Sequence, residues 1–512
     1  MDPFDFVRMI ILKIKKLFLA AFFFLSCVAN TLNAQQVTWS KQIAVDKKLQ
    51  YMKIIGTDEE GFYTLHSNIS FDNDREQRGY KNRRYSLEYF DLELNLKWNQ
   101  PLESSVPEAK IIDVQILNNK ILVISSLADK HAKLYRLFAQ FLDNKGIFKG
   151  EPLLLDEFSY DKINDESKPG VVISHDRLKA VCAFRKIPVN SKEEQHYETI
   201  VIDTNLKIVY KKEIVIPLNT KHFTPLDFVL TNQGNFFLLG MKYQTDKKVK
   251  VPNESFYQLY SYNFLHDEIS SNEIKIDDRF LTDAGLSADN LNKKVVVAGF
   301  YSDVTTYSTA GVFYFSVHED SAAQVTVNNS AFSSAFLSKF LGERKENNNR
   351  ELVNYSIDRL ILRKDGGAAI LAESYSQSLS SYWDYYTQTY ISHRYYHFGN
   401  VLALSVNPDG SLLWGNSISK DQNSTDDAGY LSSYCSVITG SRIYTIYNKY
   451  IESQSSVLIT TIDGKGTQQT DVLFNEIKNT SVIPLSAKQI DSETLLLPAY
   501  RENKLFIAKI EF

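Results

Sequence analysis

A short turn followed by a compact apolar strand recurs along the whole chain, and this recurrence constrains the fold more than any other feature. The turns are rich in Gly, Asn, Asp and Ser, residues that close tight turns; they read DEEG, NNK, SHD, NQG, NLNK, KDGG, TGS and DSE. A strand-like segment also precedes each turn, so every copy predicts a β-hairpin. Eight copies are found, at residues 61–67, 120–126, 177–184, 235–241, 294–301, 368–375, 442–448 and 494–500.

A second hairpin follows most of these copies. Its clearest example is Val401–Ile418, where the turn Asp409-Gly410 separates an apolar run from a second run that contains Trp414. Asp-Gly between apolar segments is a strong hairpin signal. The copy near residues 314–327 fits this pattern poorly. In the others an Asx residue ends the first strand, at Asp91, Asp143, Asp203, Asn263, Asn407 and Asp463.

Together the two hairpins supply four short antiparallel strands in each repeat, and aromatic residues, which favour strands, are abundant. We therefore predict an all-β fold: a single β-propeller of eight four-stranded blades, with seven as the alternative count. The C-terminal run 506–512 lacks a fourth strand, and residues 36–46 form a lone strand at the other end. We expect residues 36–46 to pair with 504–512 and close the ring. We also expect Trp98 and Trp414, which share one repeat position, to be substantially buried.

Two features resemble known proteins. The hairpin formed by Asp409, Gly410 and Trp414 resembles the repeats of quinoprotein-like and WD40-like propellers. The N-terminal segment that ends in Asn-Ala-Gln-Gln resembles the signal sequences of secreted Bacteroidetes proteins. The resemblance implies a secreted propeller. It implies no quinoprotein chemistry, because the adjacent cysteine pair of those dehydrogenases is missing: Cys182 and Cys435 stand apart in apolar strands.

The first 34 residues predict a signal peptide, with lysines before an apolar core and a small-residue cleavage site. The apolar core is shorter than the roughly 20 residues of a membrane-spanning helix. A lipid anchor on Cys27 is the rival interpretation. We therefore expect an exported protein, either secreted, periplasmic or at the cell surface, whose propeller domain occupies residues 35–512 with insertions at 328–354 and 376–397.

Charge and motif content argue against several functions. The formal net charge is −4, which gives no general attraction to nucleic acid. His393 and His397 are separated like helical metal ligands, but their surroundings predict a strand, so we expect solvated or stacked rings instead. The pair Asp426-Asp427 could bind calcium, although a polar turn is the simpler interpretation. We predict no cofactor and no metal.

Long connections all fall between second and third strands or between repeats, which places them on one face of a propeller. Such loops commonly carry function. One of them, 328–354, predicts a short amphipathic helix that either caps this face or docks a partner. Two others supply the candidate ligand-binding residues: Arg75, Arg78, Arg83 and Arg84 in a basic loop, and Tyr382, Trp383, Tyr385, Tyr386, Tyr390, His393, Arg394 and Tyr395 in an aromatic hairpin.

Two interpretations of the aromatic hairpin stay open, namely packing against neighbouring strands and binding of a ligand. The leading hypothesis for function is a monomeric, non-enzymatic binding or scaffold protein that recognises a protein or glycan through the long-loop face. The alternative is a polysaccharide-active hydrolase or lyase with its site at the central opening. No catalytic carboxylate pair can be read from the sequence.

Overall fold

The computed structural model describes residues 35–512 apart from positions 45, 47, 70–82, 160–168, 187–192, 246–253, 277, 305, 342–350, 452–455, 475–479 and 503. For residues 340 and 341 it describes the backbone alone. The predicted signal peptide, Cys27, Arg75 and Arg78 therefore lie outside the described residues.

Almost all of the regular structure is β. In chain order the strands are β1 (Gln36–Trp39), β2 (Tyr51–Thr57), β3 (Gly61–Ser67), β4 (Tyr85–Asp91), β5 (Leu96–Leu102), β6 (Lys110–Leu117), β7 (Lys120–Asp129), β8 (Leu134–Leu142), β9 (Phe148–Ser159), β10 (Gly170–Ile173), β11 (Lys179–Arg185), β12 (Gln195–Asp203), β13 (Ile208–Ile216), β14 (Phe223–Leu230), β15 (Phe236–Tyr243), β16 (Ser255–Asn263), β17 (Glu268–Ile274) and β18 (Phe280–Asp289). They continue as β19 (Lys294–Ser302), β20 (Ser308–Thr309), β21 (Gly311–His318), β22 (Gln324–Ala331), β23 (Leu352–Val353), β24 (Tyr355–Leu362), β25 (Ala368–Asp384), β26 (Thr389–Val406), β27 (Leu412–Ile418), β28 (Gln422–Thr425), β29 (Cys435–Ile438), β30 (Arg442–Asn448), β31 (Val457–Asp463), β32 (Gln468–Val472), β33 (Thr480–Val482), β34 (Lys488–Gln489), β35 (Thr494–Arg501) and β36 (Lys504–Glu511).

Within the described ranges these strands form eight antiparallel sheets of four or five strands, which we number in chain order. Sheets 1 to 4 are β2–β5, β6–β9, β10–β13 and β14–β17. Sheet 5 is β18, β19, β21 and β22; sheet 6 is β24–β27 with β28 beside β26; sheet 7 is β29–β32. Sheet 8 is β33, β35, β36 and β1, with β34 beside β35. A separate pair joins β20 to β23.

The eight apolar runs of the sequence are the second strands of the eight sheets, as predicted. In sheet 6, for example, Ala368–Glu373 is buried at every position, because each face of the strand is covered by a neighbouring sheet. Runs without polar alternation are typical of strands buried on both faces. The all-β prediction is confirmed.

The Asx residues of the repeat close the turns between third and fourth strands. The carboxylate of Asp91 accepts a hydrogen bond from the backbone N–H of Asn95 at 2.7 Å, and Asp463 accepts one from Thr467 at 2.8 Å. Such Asx turns satisfy backbone donors that the tight turn leaves unpaired. In sheet 5 His318 occupies the equivalent position, which explains why that copy matched the pattern poorly.

Trp98 and Trp414 are partly buried, as expected for this repeat position, and the ring of Trp98 stacks against Tyr89 of its own sheet with centroids 5.7 Å apart. Each indole lies across the gap to the next sheet. The indole N–H of Trp98 donates to the carbonyl of Asn144 at 2.9 Å, and that of Trp414 donates to Gly464 at 3.2 Å. Both acceptors lie one residue after the Asx of the following sheet. The repeated tryptophan therefore joins successive sheets.

Among the described residues the hydrophobic core consists of eight clusters, and each one spans two sheets. Seven of them join sheets that follow each other in the chain. The eighth joins sheet 8 to sheet 1 through residues such as Leu496, Ile507, Met52 and Phe62. The expected pairing of the chain ends is also present, because β1 lies antiparallel to β36 with Trp39 opposite Ala508.

The predicted amphipathic helix is α1 (Ser334–Leu341). Its Phe336 and the preceding Phe332 are buried in the core between sheets 5 and 6, so these rings serve packing rather than docking. Cys182 and Cys435 are buried free thiols in sheets 3 and 7, and burial raises the pKa of each to about 12. Within the described ranges, no helix has the length and apolarity needed to span a membrane.

Candidate functional site

The aromatic hairpin is a two-stranded extension of sheet 6, and we call residues 376–397 the arm. The inner parts of β25 and β26 belong to the four-stranded body of the sheet. There β24 pairs with β25 as far as Ser374, and β27 pairs with β26 from Val401 onward. Beyond those points the two strands continue to pair with each other for another ten residues of β25, Tyr375 to Asp384. The turn at residues 385–388 joins them at the tip.

Local hydrogen bonds hold the tip of the arm. The carboxylate of Asp384 accepts the backbone N–H of Tyr386 at 2.9 Å and the hydroxyl of Thr387 at 3.0 Å. These bonds lower the pKa of Asp384, the backbone bond most strongly. An acidic residue that accepts two turn donors is a standard solution for a tight turn.

The rings of the arm divide between its two faces. Trp383 lies directly opposite Tyr390, with ring centroids 5.0 Å apart in an edge-to-face arrangement. On the other face Tyr382 stacks against His393 at 5.8 Å. Tyr386 belongs to the turn, so it lies on neither face of the paired strands. The opposed pair is Tyr382 and Trp383.

The arm is exposed along almost its whole length. Residues 376–383 form eight consecutive exposed positions of β25. Tyr386 is 100% exposed and Tyr385 is 85% exposed, whereas Trp383, the most protected ring of the tip, is still 40% exposed. Large rings normally bury most of their area in a core, so the rings of Tyr385 and Tyr386 do not serve the packing of the described chain.

One edge of the arm is supported by the connection between sheets 6 and 7. Strand β28 pairs with Tyr395–Phe398. Asp426 continues this contact: its carboxylate accepts the backbone N–H of Arg394 at 2.8 Å and lies 2.7 Å from the Nδ1 of His393. These two interactions lower the pKa of Asp426. Asp426, considered above as a calcium ligand, thus fixes the arm.

His397 belongs to the same supported edge, where its Nδ1 lies 2.9 Å from the side-chain oxygen of Asn423. A shallow pocket of about 250 Å³ adjoins it. Ser376, Ser378, Tyr395 and Thr425 line its floor and walls with hydroxyl groups. In the described part of the chain, no group of three or more His, Cys, Asp or Glu side chains could hold a metal ion.

A buried ionic network anchors the root of the arm. Lys420, whose side chain is fully enclosed, forms an ion pair with Glu373 at 2.6 Å and donates to the carbonyl of Phe398 and the side chain of Gln422. Ser433 donates to the other oxygen of Glu373 at 2.7 Å. Burial raises the pKa of Glu373 and lowers that of Lys420, and the surrounding polar partners offset this cost. The network connects β25, β28 and sheet 7.

The basic loop lies elsewhere in the molecule. Arg83 and Arg84 precede β4 in sheet 1, where Arg83 contacts the ring and hydroxyl of Tyr85. The backbone N–H of Arg84 donates to the side chain of Asn68 at 2.9 Å. The arginines thus belong to sheet 1 and the arm to sheet 6, and the described contacts do not bring them into one site.

The sequence analysis did not identify a set of ionisable groups that lie on the first strands of several sheets. Asp113, Asp227 and Asp283 occupy equivalent positions beside β-bulges of sheets 2, 4 and 5. Asp358, on β24, is exposed to solvent, yet desolvation by the surrounding chain and the charge of Glu373 raise its pKa to about 7. Tyr434 donates to Asp358 at 2.9 Å. The recurring Asp of the first strands is visible in the sequence and could have been found there.

Comparisons with known proteins give structural likenesses alone. No protein-family model and no curated protein matches the chain in sequence. Among solved structures, the WD40 domain of SCAP from fission yeast is similar with a TM-score of 0.38 and 11% identity, covering 93% of this chain and 98% of that one. The β-propeller domain of the Trilobed protease from Pyrococcus furiosus is similar with a TM-score of 0.34 and 10% identity, covering 83% and 98%.

Sqt1 from Chaetomium thermophilum, solved with the N-terminus of ribosomal protein L10, is similar with a TM-score of 0.39 and 8% identity, covering 91% and 100%. At these scores the description of the fold rests on the sheet order and core packing of the chain itself.

Proposed function

We propose that this protein is an exported binding or scaffold protein that docks a protein partner through the arm, residues 376–397. The observation that carries this proposal is the run of eight exposed positions in β25 together with the open rings of Tyr385, Tyr386 and Tyr390. Exposed aromatic side chains of this size are typical anchors of protein interfaces, because they bury a large area at a low entropic cost.

The rigidity of the arm supports the same proposal. The buried pair of Lys420 and Glu373 fixes its root, Asp426 fixes its middle and Asp384 fixes its tip. A preorganised surface loses less conformational entropy on binding than a mobile one. The backbone that carries the rings is thus fixed before a partner arrives.

The shape of the arm favours a protein over a glycan. The arm projects from the end of sheet 6, and its most exposed rings are at the tip rather than in a groove. Small ligands are usually enclosed by concave sites. A convex hairpin with rings on two faces instead suits insertion into a recess of a macromolecule.

We infer that the eight sheets are blades of one propeller ring, closed where β1 pairs with β36. The cluster that joins sheet 8 to sheet 1 supports closure. The electrostatics of Lys488 support a common axis, because its pKa is lowered by burial and by the positive charges of Arg177, Arg359 and Lys53. Those residues belong to sheets 3, 6 and 1, which a ring brings around one centre.

Export is part of the proposal and rests on the sequence. The lysines and apolar core before residue 35 support a cleaved signal peptide, and Cys27 supports the lipid-anchored alternative. N-terminal sequencing of the purified protein distinguishes the two. A first residue at Gln35 or nearby supports cleavage, and a blocked, lipidated Cys27 supports the anchor.

A hydrolase at the central opening gains no support from Glu373 or Asp426. Glu373 is buried and is engaged by both Lys420 and Ser433, so it has no free oxygen for a substrate. Asp426 is likewise engaged by His393 and Arg394. Catalytic carboxylates of glycosidases must instead face the scissile bond.

The proposal is tested by quantitative capture from the source organism's extracellular and envelope fractions. The arm variant replaces Tyr385, Tyr386 and Tyr390 by Ser. The control variant replaces Leu265 and Leu291 by Ser, since these exposed apolar side chains lie in tight turns remote from the arm. We expect a protein captured by the wild-type and control chains to be lost from the arm variant.

A partner retained equally by all three chains would contradict docking through the arm. A glycan array with the same chains tests the other ligand class. Glycan binding that disappears in the arm variant, without any arm-dependent protein, would replace the protein partner by a glycan.

A further inference from the structure

The two strands of the arm differ in what lies beside their outer edges. The edge of β26 is covered, since β28 pairs with Tyr395–Phe398. Asp426 extends this cover by one more position: its backbone N–H donates to the carbonyl of Arg394 at 3.0 Å, and its carboxylate accepts the N–H of Arg394. The edge of β26 is therefore occupied as far as Arg394.

The edge of β25 is open by contrast. Its last sheet partner is Tyr355, opposite Ser374, and the backbone N–H of Tyr375 then donates to the carbonyl of Asn354 at 3.0 Å. From Ser376 to Asp384 no residue in the described ranges pairs with the outer edge of the strand. A nine-residue edge presents a row of backbone donors and acceptors that can template another strand.

This edge also lacks the features by which proteins normally block edge-to-edge pairing. Its sequence is Ser-Gln-Ser-Leu-Ser-Ser-Tyr-Trp-Asp, without Lys, Arg or Pro, and its one charge is at the end, on Asp384. Charged side chains, prolines, bulges and short length are the usual protections of an exposed edge. The register with β26 is also regular from Tyr375 to Asp384.

We propose that the β25 edge is a homodimer interface, in which a second copy of the chain pairs antiparallel with Ser376–Asp384. The product is a four-stranded sheet in the order β26, β25, the partner's β25 and the partner's β26. Dimers with a two-fold axis use the same surface on both subunits. An axis perpendicular to the sheet keeps each face on its own side, and centring it at Ser380 uses the entire open edge.

The side chains are self-complementary in that register. Gln377 lies opposite the partner's Trp383, Ser378 lies opposite the partner's Tyr382, and Leu379 lies opposite the partner's Ser381. Every large side chain thus meets a smaller one. Asp384 lies opposite the partner's Ser376, so no like charges face each other, whereas directly opposed like charges destabilise a strand pair.

One face of the dimer would gather the exposed apolar side chains. Leu379, 64% exposed in the single chain, becomes a diagonal neighbour of the partner's Leu379 and Trp383. Diagonal neighbours on one face are about 7–8 Å apart, within reach of long and aromatic side chains. The dimer replaces the expected monomer and goes beyond the proposed docking function, since the rings of Tyr385 and Tyr386 lie outside the paired edge and stay open. Two arms on one particle would strengthen binding to a repeated partner.

The test is sedimentation velocity of the full-length chain over a range of concentrations, with two charge variants at the proposed axis. Ser380→Lys and Ser380→Glu each place like charges side by side in the homodimer, so each variant alone should sediment as a monomer. An equimolar mixture pairs Lys with Glu and should recover the dimer. Ser392→Lys is the control, because it adds the same charge on β26, away from the open edge, and should leave dimerisation unchanged.

Three results would overturn the proposal. The first is a wild-type chain that stays monomeric at every concentration. The second is dimerisation of each single Ser380 variant to the wild-type extent, which would place the interface elsewhere. The third is a mixture of the two variants that stays monomeric. None of these results bears on capture of a protein partner, so dimerisation and docking can fail separately.

Discussion

The same two strands form both the most buried and the most exposed parts of sheet 6. Residues Ala368–Glu373 of β25 are all buried, whereas residues 376–383 of the same strand are all exposed. The inner part packs small and aliphatic side chains against sheets 5 and 7. The outer part carries serines and aromatic rings. The contrast teaches that one continuous strand contains a segment buried in the core and, directly after it, a segment open to solvent, which is the segment that we propose for docking.

The boundary between the two parts coincides with the buried pair of Glu373 and Lys420. We expect Lys420→Met to give the largest effect of any change considered, because it leaves the carboxylate of Glu373 buried without a counter-charge. The free energy of unfolding should fall by about 3–5 kcal/mol. Chemical denaturation measures this loss.

The matched control replaces both partners, as Glu373→Leu with Lys420→Met. Removing the two charges together should recover most of the stability, since the desolvation cost disappears with them. A double variant as unstable as Lys420→Met would show that packing, and not charge, joins the two parts of the strand.

Single residues of the two parts should respond differently to truncation. Leu371, fully buried in the inner part, should lose about 3 kcal/mol of unfolding free energy on replacement by Ala. Trp383→Ala, in the arm, should change it by less than about 0.5 kcal/mol, as is usual for exposed positions. Equal losses at both sites would contradict the division between a structural and a recognition segment.

Replacing a tryptophan that contacts two sheets should lower the free energy of unfolding by an intermediate amount. Trp414 is partly buried against the turn of sheet 7, so Trp414→Ala should lower the unfolding free energy by about 2 kcal/mol. Its neighbour Leu413 is 47% exposed, and Leu413→Ala serves as the control with a loss below about 0.5 kcal/mol. A Trp414 variant as stable as the control would mean that the indole does not join the sheets.

Local patterns in the sequence predicted much of this arrangement. The Asx turns at Asp91 and Asp463 and the apolar second strands were readable because turn closure and burial on both faces depend on nearby residues. The hydrogen bonds from Trp98 and Trp414 to the following sheet were not readable, because they join residues about 50 positions apart in the chain. The sequence also did not show that Tyr386 lies in a turn, since the end of β25 depends on its register with β26.

Asp358, on the strand beside the buried part of β25, and Asp384, at the tip of the arm, should make contributions to stability that change with pH in opposite directions. The pKa of Asp358 is raised to about 7, so the folded state holds its proton more tightly than the unfolded state does. Its contribution therefore disfavours folding increasingly as pH rises from about 4 to 7. We expect Asp358→Asn to stabilise the protein more at pH 8 than at pH 4, as measured by thermal unfolding. A gain that does not change with pH would contradict the raised pKa.

For Asp384, in the arm, the contribution to stability changes with pH in the opposite direction and affects the turn at the tip. The pKa of Asp384 is lowered by its bonds to the turn, so its stabilising contribution is present above its ordinary pKa and is lost as pH falls. Amide exchange at Tyr386 should therefore be slower at neutral pH in the wild-type chain than in Asp384→Ala, after correction for intrinsic rates. The two chains should become alike once Asp384 is protonated.

The central claim is that the exposed rings of the arm bind a partner and contribute little to the stability of the fold. Its most direct measurement is the dissociation constant of the captured partner for Tyr382→Ala and Trp383→Ala, with the melting temperature of each variant. These neighbours lie on opposite faces of the arm. One of the two variants should bind about 30-fold more weakly, equivalent to about 2 kcal/mol, with an unchanged melting temperature. Unchanged affinity in both, or a lowered melting temperature in the weaker binder, would contradict the claim.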